Sequence, residues 1–308
     1  MAFFDGHKTE EVTLENSALY EGELGASVIA LECMQFEAEL FEEAVRADVA
    51  EYSMIQEGTD TKVFVEGKFA EIKEKVVKFL EQVLAKLKAV FKGFQDRVVA
   101  TLTRDTKALY NKFKDDVAKK DLTGLMVKIH EYKANAEKYE GLDKFLVDTN
   151  KGKTTEELKV EIFNTLTGLE VKASSEIRKA YAEYHLGEEK EVAYKNIEKQ
   201  VAEALLGDWV KAAKDNQAAA EKGLSGVITT VKKESGKDAT LVNNVCSAYA
   251  FVVNAICAEN INVCKKYVAE ARKAFQKAVA YKPVKEGEEL NADLFLVECD
   301  LVEVEPEA

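Results

Sequence analysis

The distribution of proline constrains the fold of this chain more than any other feature. The 308 residues contain two prolines, Pro283 and Pro306, so residues 1–282 carry none. Because proline removes a backbone donor and breaks helices, this long stretch can form helices without that interruption. Alanine, glutamate, lysine and leucine are abundant, and all four are strong helix formers. The sequence therefore predicts an all-α fold of long helices.

Apolar residues recur at helical spacing along most of the chain. The clearest stripe runs from Phe69 to Leu102 at steps of three and four residues, and its helix is expected to continue to Val117. The stripes do not keep strict heptads for long, which favours an elongated, coiled-coil-like bundle of long antiparallel helices over a simple coiled coil. The other predicted helices span residues 26–56, 121–141, 154–185, 188–234 and 238–281.

Local signals predict where these elements begin and end. Thr154 and Glu157 have the spacing of a capping box, and Asp121 can cap the helix expected after it. Glycines that are expected to end or weaken helices are Gly187, Gly207, Gly223 and Gly226. The sequence LFLVECDLVEVE beyond Pro283 alternates in part and predicts a short strand in the tail.

Charge divides the chain into three segments. Residues 1–57 carry 14 acidic and two basic side chains, a net charge of −12. The helical body, 58–282, carries +7, and the tail, 283–308, carries −8, which gives −13 for the whole chain. Acidic segments that keep a protein soluble would explain this distribution. A separable acidic segment that shields the basic body until it is removed would explain it equally well.

The predicted helix that follows the acidic segment has a lysine-rich face. Residues 68–114 hold twelve basic and five acidic side chains. Such a face can contact nucleic-acid phosphates or anionic lipid, can pack against the acidic segment, or can simply be solvated. The candidate contact residues are Lys68, Lys73, Lys75, Lys78, Lys86, Lys88 and Lys92.

Residues 239–258 form the longest uncharged run, which is long enough to span a bilayer. Three asparagines lie within it and charged helical sequence follows, so a buried core helix is favoured over a membrane-active one. Cys246, Cys257 and Cys264 fall near one helical face and are interpreted as buried thiols in a reducing compartment. The first residues lack the basic region and apolar core of a signal peptide.

No motif predicts an active site. The three histidines, His7, His130 and His185, lie far apart, and none has a partner at metal-ligand spacing. The stretch VDTNKGKT at 147–154 imitates the end of a phosphate-binding loop, but Val147 stands where that motif needs glycine. Gly152 is therefore interpreted as part of a helix-terminal turn. We expect neither enzymatic activity nor a cofactor, metal ion or small-molecule substrate.

Two tetrapeptides near the N-terminus share one pattern: Leu19-Tyr20-Glu21-Gly22 and Ile55-Gln56-Glu57-Gly58. Each reads leucine or isoleucine, any residue, glutamate and then a small residue. This pattern resembles the site at which head-maturation proteases of tailed bacteriophages cut after the glutamate. The resemblance implies cleavage of the bonds Glu21–Gly22 and Glu57–Gly58. The second bond lies where the acidic segment meets the lysine-rich helix, in a junction that can extend in a protease cleft.

Over about its first 115 residues the chain also looks like structural proteins of tailed-phage virions, which combine an acidic leader with a helix of the FLEQVLAKLKAVFKGF kind. The resemblance implies an internal head protein, made in the host cytoplasm, packaged in the procapsid and trimmed after Glu57, so that residues 1–57 are a propeptide. Its implied partners are other virion proteins (capsid, portal or core), packaged DNA and further copies of the chain. Two other functions stay open: a membrane-active helical protein, and a cellular helical scaffold or adaptor that binds a partner helix.

Overall fold

The computed structural model describes most of the helical body and part of the acidic segment. The described residues are 62–94, 100–133, 139, 144–233 and 238–282, with positions 29–31, 33–35, 37, 38, 40–43 and 45. Only the backbone is described at 62–67, 100–102 and 212. The predicted cleavage residues Leu19, Glu21, Gly22, Ile55, Glu57 and Gly58, and the strand predicted within the tail 283–308, lie outside these ranges.

The described part of the chain is mostly helical, which confirms the helical character predicted from the sequence. The described positions between 29 and 45 are helical. They are followed by α1 (Lys62–Gly93), α2 (Ala100–Ala118), β1 (Met126–His130), α3 (Thr155–Thr167), α4 (Ile177–Leu186), β2 (Glu189–Ala193), α5 (Tyr194–Leu206), α6 (Asp208–Lys233) and α7 (Ala239–Ala280). Short 3-10 helices occupy Asp148–Asn150 and Ser174–Glu176.

Helix α7 forms the centre of the core. Of its 42 residues, 27 are buried, whereas a helix that lies on a protein surface buries one stripe. The helices α1 to α6 and the strand β1 all contact it. The Asp238 carboxylate begins α7 by accepting hydrogen bonds from the backbone N–H groups of Thr240 and Leu241, at 2.8 and 3.2 Å.

The apolar run 239–258 lies in the first half of α7. Among the described residues, α7 is the one helix long and apolar enough to cross a membrane, with a mean hydropathy of 1.5 over its most apolar window. Core helices and membrane-spanning helices share these properties. Here 89% of that window is buried inside the protein, as the prediction of a core helix requires. Cys246, Cys257 and Cys264 are buried on this helix, also as predicted.

A two-stranded antiparallel sheet occupies two short stretches for which the sequence predicted helix. β1 pairs with β2 so that Met126 lies opposite Ala193 and His130 lies opposite Glu189. Within the helix predicted over 121–141, residues 126–130 therefore form a strand, and the helix predicted from Glu188 begins later, as α5. Asp121 does not cap a helix: its carboxylate accepts from the backbone N–H and the hydroxyl of Thr123, which forms a turn.

The pattern that could have revealed β1 is its alternation. Val127 and Ile129 are buried while Met126 and Lys128 are exposed, which is the period of two residues expected of a strand. Five residues are too few to outweigh the helix formers around them. The pairing also joins strands about 60 residues apart, so no local signal specifies it.

Other predicted helices are divided in the structure. The capping box of Thr154 and Glu157 is present, but α3 ends at Gly168 and α4 begins at Ile177, so 154–185 is not one helix. Gly187 ends α4 as predicted, and Gly207, with φ of +102°, separates α5 from α6. The helix expected from Phe69 to Val117 is present on both sides of residues 95–99, as α1 and α2, and residues 95–99 lie outside the described part of the chain. The region 239–280 agrees with its prediction to within about one residue.

Gly223 and Gly226 were expected to weaken their helix, yet α6 runs through both. Gly223 is required by packing, because a Cβ atom there would lie 2.6 Å from Tyr249 Oη and closer still to Tyr139. Tyr249 donates a hydrogen bond to the carbonyl of Tyr139 at this contact. A Cβ atom at Gly226 would meet nothing within 4 Å.

These two glycines provide a matched pair of substitutions. Gly223→Ala is expected to lower the free energy of unfolding by about 1–3 kcal/mol, because the new methyl group forces the two tyrosines apart. Gly226→Ala is expected to raise it by about 1 kcal/mol through better helix propensity. Urea unfolding followed by circular dichroism measures both. Equal effects of the two substitutions would contradict the packing of Tyr139 and Tyr249 on Gly223.

Lys120 caps the C-terminal end of α7. Its ammonium group donates to the carbonyls of Ala278 and Tyr281, at 3.3 and 3.1 Å, and to that of Val279. The last carbonyls of a helix have no partner within the helix, and a cation there also interacts favourably with the helix dipole. Lys120 thus ties the turn after α2 to the end of the central helix.

Lys120→Met retains most of the aliphatic stem and removes the three hydrogen bonds. We expect the free energy of unfolding to fall by about 1 kcal/mol, because the partly buried carbonyls lose their cationic donor. Lys119→Met, at the exposed neighbouring position, is the control and should leave stability within about 0.5 kcal/mol. A fall of the same size in both variants would contradict the capping role.

Candidate interaction surface

The helical part of the acidic segment buries one face. Leu31, Met34, Ala38 and Val45 are each at most 2% exposed and belong to the same hydrophobic core as α1. Their spacing of three, four and seven residues places them on one side of a helix. Leu40 is another apolar residue of the helix predicted over residues 26–56, but its side chain is 50% exposed and lies off this face. Val28, Val49 and Tyr52 in the same predicted helix lie outside the described residues.

Phe41 and Glu37 of the described part of this segment contact α1 directly. The ring of Phe41 stacks on that of Phe79, with centroids 4.1 Å apart and an interplanar angle of 5°. The ammonium group of Lys86 lies 2.6 Å from both carboxylate oxygens of Glu37. From Glu37 to Phe41 the residue number rises along the acidic segment, whereas the contacted residue on α1 falls from Lys86 to Phe79. The two helices therefore run in opposite directions.

Apolar burial dominates this association. Burying a large apolar side chain stabilises a fold by about 1.5–3 kcal/mol before the entropy of ordering is subtracted. Lys86 and Glu37 are 51% and 43% exposed, and ion pairs this open contribute about 0–1 kcal/mol. The ion pair thus adds little energy, but it favours one register of the acidic helix on α1.

Most of the lysines predicted as a contact face are bound within the protein. Lys68 and Lys75 lie 3.6 and 3.4 Å from Glu71, and Lys78 lies 2.7 Å from Glu74. Lys73 donates to the backbone carbonyl of Lys232 on α6, and Lys86 pairs with Glu37. Lys88 and Lys92 are exposed, and no ion pair or hydrogen bond joins them to the described part of the chain.

The pairing of Glu37 and Phe41 with α1 was not predicted residue by residue. Packing of the lysine-rich face on the acidic segment was one of the alternatives that the charge distribution left open. Phe79 and Lys86 are seven residues apart, which is two helical turns, so one face of α1 offers an aromatic ring and a cation together. This periodicity was the available signal, but it does not identify the helix that packs there.

The histidines have structural contacts. His130 Nδ1 lies 2.7 Å from Glu270, whose other carboxylate oxygen accepts the His130 backbone N–H. The ring of His185 is buried, lies 2.7 Å from the carbonyl of Lys133 and packs on Tyr181. His7 lies outside the described residues. Within the described ranges, no group of three or more His, Cys, Asp and Glu side chains could hold a metal ion.

Burial makes the thiols of Cys246 and Cys264 poor nucleophiles. Burial raises the pKa of the Cys264 thiol to about 12, and burial also raises the pKa of Cys246. Both thiols are therefore protonated at neutral pH, and a protonated thiol is a poor nucleophile. Tyr132 contacts Cys264 at 3.9 Å and stacks on Tyr267, a contact typical of a packed core.

The stretch that imitates a phosphate-binding loop is a turn before α3. The stretch contains a 3-10 helix at Asp148–Asn150, and Gly152 has φ of +83°. Glu157 of α3 reaches back to the backbone N–H of Thr154 at 2.8 Å, which places a carboxylate where a phosphate would bind. This geometry agrees with the interpretation as a helix-terminal turn.

The comparisons with known proteins add no relative. No protein family, no curated protein and no solved structure matches this chain.

The contact between the acidic helix and α1 predicts an asymmetry between neighbouring lysines. Lys86→Glu places two carboxylates together and should loosen the segment, whereas Lys88→Glu makes the same charge change without a described partner. Phe41→Ala should loosen it more, because stacking and burial contribute more than an exposed ion pair. Hydrogen exchange of residues 29–45 measures the loosening, expected in the order Phe41→Ala, Lys86→Glu, Lys88→Glu. Equal exchange in the two lysine variants would contradict the ion pair.

Proposed function

We propose that this chain is a non-enzymatic structural component of a tailed-phage virion, an internal head protein processed after Glu57. The observation that carries the proposal is the position of the cleavage pattern. Ile55-Gln56-Glu57-Gly58 lies between an acidic helix that packs on α1 and the start of α1 itself. Cutting there separates the acidic segment from the helical body at the bond where the charge changes.

The charge change supports this proposal. Removal of residues 1–57 takes −12 from a chain of −13, so the product is close to neutral and keeps a basic body. Reduced negative charge lowers repulsion from nucleic-acid phosphates and from acidic surfaces. An elongated bundle of antiparallel helices fits a structural component, and its proposed partners are capsid, portal or core proteins, packaged DNA and further copies of the chain.

Cleavage is tested by the intact mass of the protein from purified particles. We expect a product that begins at Gly58, and an intermediate that begins at Gly22 when maturation is interrupted. Glu57→Ala should block the second cut because the pattern requires glutamate there. Gln56→Ala is the matched control, since the pattern accepts any residue at that position. Full-length chain in mature particles would contradict processing.

A cellular scaffold or adaptor is the second candidate function, and one observation favours it. A helix packed in an apolar groove with one ion pair is how many adaptors bind a partner helix. The genomic neighbourhood distinguishes the candidates: capsid, portal and protease genes beside this one favour the virion protein, and their absence favours the adaptor. Membrane activity is less favoured, because the apolar window of α7 is buried within the protein.

A further inference from the structure

The face of α1 that carries Phe79 and Lys86 is covered by part of the same chain. The covering helix is acidic and amphipathic, and it is connected to α1 only through residues 46–61. If the chain is cut after Glu57, this connection is lost and only the contacts themselves hold the helix in place. The surface beneath would then become available to another binding partner.

We propose that this face of α1 is a binding site for an acidic amphipathic helix of another protein, and that residues 29–45 occupy it until the chain is cut. The timing of release rests on the function proposed above. The binding chemistry rests on the contacts alone: a carboxylate for Lys86, an aromatic ring for Phe79, and apolar side chains at helical spacing between and beyond them.

The identity of the occupant follows from the segment that is seated there. Glu37 and Phe41 are one turn apart and engage Lys86 and Phe79. Leu31, Met34 and Val45 extend the apolar face on either side. A partner helix that repeats this arrangement would meet the same ring and cation. An acidic helix of a neighbouring virion protein has the required chemistry.

Covalent connection explains why the site is closed before cleavage. A tethered segment has an effective concentration on the order of millimolar, so a partner present at micromolar levels does not displace it. After cleavage this advantage disappears. The freed segment is then held by its apolar face and a half-exposed ion pair without the tether, so its occupancy depends on its concentration and falls on dilution.

Nucleic acid is the less favoured occupant. Four of the seven predicted contact lysines bind carboxylates or a carbonyl within the helical body, and these contacts do not depend on the acidic segment. Of the seven, release of the segment would leave Lys86, Lys88 and Lys92 as a small positive patch, and affinity for DNA grows with the number of phosphates contacted.

The first experiment asks whether the segment is released. The full-length chain is prepared with residues 55–58 replaced by the recognition sequence of a site-specific protease, and with Cys299→Ser so that the exposed Cys33 takes a fluorophore. The folded protein is cut and then diluted. Fluorescence anisotropy is expected to fall to the value of the free segment, while circular dichroism shows that the body stays helical. A signal that stays high after dilution would overturn the proposal.

The second experiment asks what the uncovered surface binds. A labelled peptide of residues 26–48 is the probe, and it is titrated into the larger cleavage product. Lys86→Glu is expected to weaken binding about three- to tenfold, and Lys88→Glu to leave it unchanged. A Glu37→Lys peptide should bind the Lys86→Glu protein better than the unaltered protein. Absence of this rescue, or equal effects of the two lysine variants, would overturn the assignment.

Two further measurements distinguish a helix-binding surface from a nucleic-acid-binding surface. Phe41→Ala weakens the contact of residues 29–45 with α1 but leaves the chain uncut. This full-length variant should bind the peptide more tightly than the unaltered full-length protein does. Displacement of the peptide by duplex DNA, with the same dependence on Lys86, would assign the surface to nucleic acid instead.

Peptide binding by the protein without processing in particles would contradict the proposed function but support the binding surface. Processing in particles without peptide binding would support the proposed function and contradict the binding surface.

Discussion

The burial of α7 is the physical constraint on which the rest of the described structure depends. Its apolar residues are not confined to one stripe, so the helix needs neighbours on every side. Helices α1 to α6 and the strand β1 meet this need. Each of them requires only one apolar face, and their outer faces can carry the many charges of the sequence. Alanines such as Ala248, Ala255 and Ala258 are fully buried in α7 and let the surrounding helices approach closely.

Polar contacts position the ends of this arrangement. Asp238 satisfies the first N–H groups of α7, and Lys120 satisfies its last carbonyls from a distant part of the sequence. Glu270, on the same helix, accepts the backbone N–H of His130 and so holds β1 against α7. Attachment of β1 to α7 explains how a short two-stranded sheet persists among the described helices, since isolated two-stranded sheets are marginal in water.

The acidic helix between residues 29 and 45 is attached in a different way. Its described residues add one apolar face to the core and a half-exposed ion pair with α1, whereas α7 is enclosed by seven of the described elements. Stability within a protein is uneven, and elements with few buried contacts open first. The acidic helix is therefore the element that can leave without dismantling the enclosure of α7. This difference in attachment supports both a removable segment and a surface that becomes available beneath it.

The sequence by itself determined the mostly helical fold, the bounds of α7 and the burial of the cysteines on α7. It also determined the capping box of α3. These features follow from local propensity and periodicity. It also determined the division of charge and the position of the cleavage pattern. Only the tertiary structure decided that residues 126–130 form a strand and that Phe41 and Glu37 meet Phe79 and Lys86. Those outcomes depend on contacts between distant parts of the chain, whose pairing no local pattern specifies.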